Sequence, residues 1–204
     1  IKENKIKIKV NVEDKKQIIG KFDHTNNPTG RLFATELIHG ESLIIEYYQP
    51  EKVPYNASIK ISEISYIYRG YDNPYKSTTN FGNSDFCEVN INCSPEGDEW
   101  QDEKRGVAKI LLKEGSSYFW CTGSLVNNVR QDFEPYFLTA DHCGSNASTT
   151  DYLQWVFYFN FETSSCINPA SSPSSNSVVG CTKISNGGNS GSSGSDFKLL
   201  LFNS

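Results

Sequence analysis

Six cysteines are the feature of this 204-residue chain that most constrains its fold. None forms a Cys-x-x-Cys pair of the kind that holds zinc, and an even number at wide spacings predicts disulfide bonds. Disulfides form and persist in oxidising compartments, so the chain is predicted to be secreted. All six lie in the second part of the sequence, at Cys87, Cys93, Cys121, Cys143, Cys166 and Cys181.

The cysteine distribution divides the sequence into two segments. Residues 1–80 contain no cysteine, and a polar, turn-rich linker over residues 71–86 leads to the first one. We therefore predict a β-rich pro-segment or accessory domain over residues 1–80 and a second domain over residues 85–204. Alternating apolar and charged residues predict short strands in the first segment, and hence a small β-sandwich, with strands at residues 6–12, 32–35, 42–48 and 57–62.

The second segment is also predicted to be mainly β-structure, which makes the whole chain all-β. One helical turn is expected over residues 99–105, and the serine-rich stretch 164–195 is predicted to be mainly loop. Runs of β-branched, aromatic and other apolar residues predict strands at residues 107–112, 117–122, 136–139, 155–159 and 197–202.

Charge and composition exclude several functions. The net charge is −5, so no basic surplus is available to neutralise phosphates, and nucleic-acid binding is not expected. No apolar run approaches the roughly 20 residues that a membrane-spanning helix needs. Methionine is absent from the sequence, which predicts a processed product or a portion of a longer protein.

The sharpest signal for chemistry is the run L-T-A-D-H-C at residues 138–143. His142 follows an apolar strand and precedes a cysteine able to form a disulfide, so its imidazole is expected to be held in a fixed place. A general base needs such a place, because it must meet the proton of a nucleophile within hydrogen-bond reach. The alternative interpretation is a structural histidine beside a buried disulfide.

Several motifs in one order resemble those of the chymotrypsin-like serine endopeptidases and, more narrowly, the secreted bacterial lysyl endopeptidases. The resemblance covers residues 85–204 and implies a trypsin-like fold of two Greek-key barrels, of which this chain would hold the first, with the second absent. The motifs are C-E-V-N-I-N-C (87–93), P-E-G-D (95–98), C-T-G-S-L-V-N-N (121–128), Y-F-L-T-A-D-H-C-G (136–144), S-S-C (164–166) and S-D-F-K-L-L (195–200).

The resemblance implies roles for two residues. His142 matches the general base of the family, and Asp196 matches the acid that hydrogen-bonds this base and fixes its tautomer. The nucleophilic serine would lie beyond Ser204, in the missing carboxy-terminal barrel, so the 204-residue chain alone is predicted to be inactive. Polypeptides are the implied substrates, with cleavage after lysine, and the chemistry requires neither cofactor nor metal.

The same resemblance implies two disulfides, Cys121–Cys143 and Cys93–Cys166. Cys87 matches a family cysteine whose partner would lie in the missing barrel, and Cys181 matches none. The pairing of Cys87 and Cys181 therefore stays open, since they can pair with each other, stay free or bind cysteines outside this chain.

Three further features have less specific interpretations. Gly-Asn-Ser-Gly-Ser at residues 188–192 resembles a nucleophile loop, but it precedes Asp196 and is interpreted as an ordinary loop. Asp141 is expected to face solvent or a neighbouring loop. Lys76 is the only basic residue of the linker, which makes it the candidate maturation site; an intact Lys76–Ser77 bond in the mature protein would contradict this.

A second hypothesis belongs to a different class of protein. The chain could be a non-catalytic extracellular β module, or a pseudoprotease that binds or adheres without cleaving. A serine in a Gly-x-Ser-Gly context beyond Ser204 would separate the two hypotheses. The first also requires the side chains of His142 and Asp196 to lie within hydrogen-bond reach.

Overall fold

The computed structural model describes residues 5–9, 17–23, 26, 32–38, 40, 42–49, 59–67, 87–167, 175–188 and 194–203. These residues are mostly in strands, and the fold is all-β as predicted. The strands are β1 Lys5–Lys9, β2 Ile19–Phe22, β3 Ile44–Tyr48, β4 Val107–Glu114, β5 Ser117–Val126, β6 Tyr136–Ala140, β7 Val156–Phe159, β8 Asn176–Val179, β9 Cys181–Asn186 and β10 Phe197–Phe202.

Among the described residues, helical structure is limited to short turns. A single α-helical turn, α1 (Thr149–Tyr152), lies between β6 and β7, and 3-10 turns cover Asp98–Trp100 and Glu103–Gly106, where one helical turn was predicted. Within the described residues, no helix combines the length and the apolar character needed to cross a bilayer.

The first segment contributes a three-stranded antiparallel sheet in the order β2-β1-β3. This sheet includes the predicted strands around residues 6–12 and 42–48, together with β2, which the pattern did not predict. Residues 32–35, predicted as a strand, are not a strand in the structure. Of the predicted strand at residues 57–62, residues 57 and 58 lie outside the described residues, and residues 59–62 are not in a strand. Ile59 and Ile61 are exposed, so the alternation there marks an extended segment that pairs with no strand among the described residues.

The second segment forms a seven-stranded antiparallel sheet in the order β8-β7-β4-β5-β6-β10-β9. Its two edge strands, β8 and β9, follow each other in the chain and are separated by Gly180 alone. Because β8 pairs with β7 and β9 pairs with β10, the sheet curls round until its edges are two halves of one bent strand. This curling gives the seven-stranded sheet the form of a small barrel.

Gly180 makes the bend of this strand possible. Its φ is +83°, a conformation that glycine adopts at little cost, and a Cβ there would lie 3.2 Å from the carbonyl oxygen of Leu153.

Because β8 and β9 are strands, the prediction of loop was wrong for residues 176–186. Serines and asparagines concealed a strand whose apolar residues, Val178 and Val179, pack against the two core clusters of the barrel.

Aromatic rings fill the barrel. Phe157 packs edge-on against Phe137 and Phe202, with centroid distances of 5.1 and 4.7 Å. Trp155 is fully buried, and its indole N–H donates to the carbonyl oxygen of Lys113 at 2.9 Å, which satisfies its polar group inside the core. These contacts fix β6, β7 and β10 relative to one another, and the site described next lies where β6 ends and β10 begins.

Candidate active site

His142 lies in the turn that follows β6, and Asp196 immediately precedes β10. The two strands are antiparallel neighbours, and Phe197 of β10 is opposite Ala140 of β6. The end of one strand and the start of the next therefore share one rim of the barrel. This pairing brings together two residues that are 54 positions apart in the sequence.

Asp196 contacts the His142 turn through both carboxylate oxygens. The Nδ1 of His142 is 2.7 Å from Oδ2, and the backbone N–H of His142 donates to Oδ1 at 2.9 Å. The carbonyl oxygen of Asp196 accepts a third bond, from the backbone N–H of Asp141 at 3.0 Å. One residue therefore orients both the imidazole and the backbone that carries it.

These bonds also determine the protonation of the pair. The side-chain and backbone hydrogen bonds from His142 hold the pKa of Asp196 below its usual range, so the carboxyl group is ionised at neutral pH. An ionised carboxylate only accepts hydrogen bonds, so the proton between the two side chains belongs to Nδ1. In a neutral imidazole this leaves the Nε2 lone pair free to accept a proton from a nucleophile.

The backbone of Asp196 adopts an unusual conformation that directs its side chain. Residues Lys198, Leu200 and Phe202 of β10 point into the barrel, and simple alternation would turn residue 196 inward as well. Instead φ at Asp196 is +45°, in the left-handed region that aspartate enters more readily than most residues. Its side chain is 43% exposed and that of His142 is 63% exposed, so the pair faces outward from the rim.

A disulfide joins the His142 turn to strand β5. It links Cys143 to Cys121, and both sulfurs are close to the imidazole, with all three ligand-type atoms within 4.8 Å of one another. Two cysteines and a histidine are typical zinc ligands, but zinc binds thiolates, which an intact disulfide does not offer. The sulfur bridge is therefore a tether for the turn and not a metal site.

The packing around Gly123 of β5 explains the glycine two positions after Cys121 in the C-T-G-S-L motif. A Cβ at position 123 would overlap the carbonyl oxygen of Leu138 and the ring of Phe137 on the adjacent strand β6. Glycine therefore lets β5 and β6 pack closely, which sets the path of β6 into the His142 turn.

The remaining predicted positions fall into three groups. A second disulfide joins Cys93 to Cys166, while Cys87 is free and exposed and Cys181 is free and buried, so these two do not pair with each other in this structure. Lys76 and most of the glycine- and serine-rich run at 188–192 lie outside the described residues.

The prediction for Asp141 was wrong. Its side chain does not face solvent but is buried, 3.8 Å from the equally buried ammonium of Lys198. Sequence reasoning treated Lys198 as part of an apolar strand. One signal for a buried ion pair was available: a lysine within an apolar strand, where an unpaired buried charge would be costly.

Comparison with known proteins places this chain in a family. A family model described as the C-terminal domain of lysyl endopeptidase matches residues 81–204, a segment that contains His142, Asp196 and all six cysteines. The chain belongs to the lysyl endopeptidase family. A curated lysyl endopeptidase of Pseudomonas aeruginosa is 29% identical over 149 residues, which cover 69% of this chain and 31% of that protein. The chain thus spans less than a third of the length of this relative, and its family is one of proteases.

Proposed function

We propose that this chain supplies the general base and the orienting acid of a secreted serine endopeptidase, with His142 and Asp196 in these roles. The observation that carries the proposal is the double contact of the Asp196 carboxylate with the Nδ1 and the backbone N–H of His142. A merely structural histidine does not require its backbone and its ring to be oriented by one exposed carboxylate. The two disulfides support the location, because they are stable in oxidising compartments.

The reaction would be acyl transfer through a covalent intermediate. Nε2 of His142 takes the proton of a serine hydroxyl while the oxygen attacks the carbonyl carbon of the scissile bond. The imidazolium that forms is stabilised by the ionised Asp196. It then gives its proton to the leaving amine as the tetrahedral intermediate collapses, and water releases the acyl group by the same sequence of steps.

The nucleophilic serine is proposed to come from a part of the protein beyond Ser204. Within the described residues, no serine hydroxyl hydrogen-bonds to His142, and the exposed His142–Asp196 face offers room for a second barrel. Lysine is proposed as the residue before the cleaved bond, because the curated relative is named a lysyl endopeptidase.

The test is a peptidase assay on the natural full-length protein. Fluorogenic peptides that differ only in lysine, arginine or alanine before the cleaved bond should show turnover of the lysine peptide, and His142→Gln should abolish it. The isolated 204-residue chain should show no turnover. A full-length protein that folds but cleaves none of the peptides would favour the pseudoprotease or binding module instead.

The first segment is proposed to be a pro-segment that docks on the outside of the barrel. The backbone N–H of Leu37, in the first segment, donates to the hydroxyl of Tyr158 at 2.9 Å. Leu37 also packs against the core cluster formed by Leu111, Val156 and Tyr158. Further along, the carboxylate of Glu63 accepts two bonds from the ammonium of Lys113, at 2.6 and 2.8 Å, and a third from the hydroxyl of Tyr118 at 3.0 Å.

The Glu63–Lys113 pair is an unequal one. The Lys113 side chain is 5% exposed and that of Glu63 is 45% exposed, so the partner of a buried barrel cation comes from the first segment. The hydrogen bonds from Lys113 and Ser65 lower the pKa of Glu63. Burial alone would lower the pKa of Lys113, but its bonds to Glu63 and Tyr118 outweigh this and raise it.

Glu63→Gln is expected to loosen residues 59–67 from the barrel. In the unchanged protein, the contribution of Glu63 is present above its ordinary pKa of 4.5 and is lost as the pH falls through its lowered folded-state pKa. Hydrogen exchange at residues 59–67 should therefore accelerate in the variant at neutral pH, and in the unchanged protein only in acid.

An exposed carboxylate of the barrel domain provides the control for this variant. Glu99→Gln removes the same charge from an exposed residue that contacts none of the described residues of the first segment, and it should leave exchange at residues 59–67 unaltered. Equal exchange in Glu63→Gln and the unchanged protein at neutral pH would show that this ion pair does not hold the segment.

A further inference from the structure

We propose that Lys198 and Asp141 form a buried ion pair that positions His142 from inside the barrel. The functional meaning of this pair rests on the function proposed above, since only a base needs a fixed imidazole. Its geometry does not depend on that function and can be tested without an activity assay.

Lys198 is a charged residue in an apolar interior. It lies on β10 opposite Thr139 of β6 and is 1% exposed, at an inward position shared with Leu200 and Phe202. A buried ammonium is costly unless it is paired and hydrogen-bonded, so its retention at this position calls for compensating contacts.

The polar contacts of Lys198 all lead to the turn that carries His142. The Nζ of Lys198 donates to the carbonyl oxygens of Cys143 and Gly144, at 2.7 and 2.8 Å. It lies 3.8 Å from Oδ1 of Asp141, a buried oxygen with no hydrogen bond of its own in the described structure. The rings of Tyr152 and Trp155, with centroids 5.6 and 5.5 Å from Nζ, complete the surroundings of the cation.

The two residues that flank His142 are therefore both held by one cation. Asp141 precedes the histidine and Cys143 follows it, while Asp196, two positions before Lys198, contacts His142 from the opposite side. Two residues at the start of β10 therefore hold the turn: Asp196 contacts it on the solvent side, and Lys198 contacts it on the core side. A displacement of about 1 Å in a reacting group can cost roughly a hundredfold in rate, so this fixation matters for a base.

Lys198→Met tests the positioning role, because methionine fills similar space without the ammonium. We expect the backbone N–H of His142, which is bonded to Asp196, to exchange with solvent on the order of tenfold faster than its change in global stability explains. In the unchanged protein, we expect the Nδ1 proton in the 2.7 Å hydrogen bond to give a slowly exchanging NMR signal, which the variant should lose. Both measurements use the full 204-residue chain.

Leu200→Val is the matched control. Leu200 is equally buried, on the same face of the same strand, but it carries no charge and makes no polar contact with the His142 turn. This variant should accelerate exchange at His142 only in proportion to its loss of global stability. The same proportion in Lys198→Met, with the Nδ1 signal retained, would overturn the proposal.

Asp141→Asn provides the decision if Lys198→Met does not fold. Asparagine keeps the shape of the side chain and removes the countercharge, so a smaller change in the same direction is expected at both probes. Unchanged exchange and an unchanged Nδ1 signal in this variant would also overturn the proposal. Absence of peptidase activity in the full-length protein would refute the proposed function but would leave these two readouts intact.

Discussion

Replacing Asp196 by asparagine is expected to lower kcat of the full-length protein by about 10⁴-fold, with KM little changed. Asparagine has nearly the same shape, and its oxygen can still accept the backbone N–H of His142. Its amide nitrogen, however, would donate to Nδ1, where the carboxylate accepts at present. The imidazole proton would then move to Nε2, and the nitrogen that must take the serine proton would no longer be free.

The control is a surface aspartate that takes no part in the site. Asp102 pairs with Arg105 on the surface, and its side chain is 87% exposed, so Asp102→Asn should leave kcat and KM unchanged. Steady-state kinetics on the lysine peptide give both constants. A kcat for Asp196→Asn within tenfold of the unchanged protein would show that this carboxylate does not fix the tautomer of the base.

The strands of the barrel were predictable because their residues are apolar in long runs. β4, β5, β6, β7 and β10 all coincide with predicted strands, since a strand buried on the inner face of a small barrel must carry large side chains there. The L-T-A-D-H-C run likewise marked His142 before its partner was known. Asp196 could be assigned only through the family resemblance, because nothing local in a Gly-Ser-Asp sequence indicates which distant turn it meets.

The features that escaped prediction depend on partners far away in the sequence. β8 and β9 are strands because β7 and β10 offer free edges to them, and Gly180 supplies the bend; their own composition favours a loop. Lys198 is buried because two carbonyl oxygens and Asp141 converge on it, and none of these lies within 50 residues of it in the sequence. Such contacts are properties of the folded barrel and not of any sequence window.

The two disulfides are expected to differ in what their removal costs. In the chain-entropy model, the bridge across 73 residues, Cys93–Cys166, stabilises the protein by about 4 kcal/mol. The bridge across 22 residues, Cys121–Cys143, contributes about 3 kcal/mol in the same model. Denaturant unfolding of two double cysteine-to-alanine variants should therefore show the larger loss of stability for Cys93 and Cys166. Alanine is the suitable replacement because Cys143 is buried, where a serine hydroxyl would need a partner.

The order of the effects on catalysis should be the reverse. Cys143 is adjacent to His142, so loss of its tether to β5 allows the turn to shift, and roughly a hundredfold fall in kcat/KM is expected under conditions where the variant is folded. The Cys93–Cys166 bridge makes no contact with the His142–Asp196 pair, and its removal should leave kcat/KM within a few-fold of the unchanged protein. If kcat/KM instead falls in proportion to the loss of stability in both variants, the Cys121–Cys143 bridge stabilises the fold and has no specific role in positioning His142. We expect loss of Cys93–Cys166 to have the larger effect on stability and loss of Cys121–Cys143 to have the larger effect on kcat/KM. This result would distinguish a disulfide that stabilises the barrel from one that positions the base.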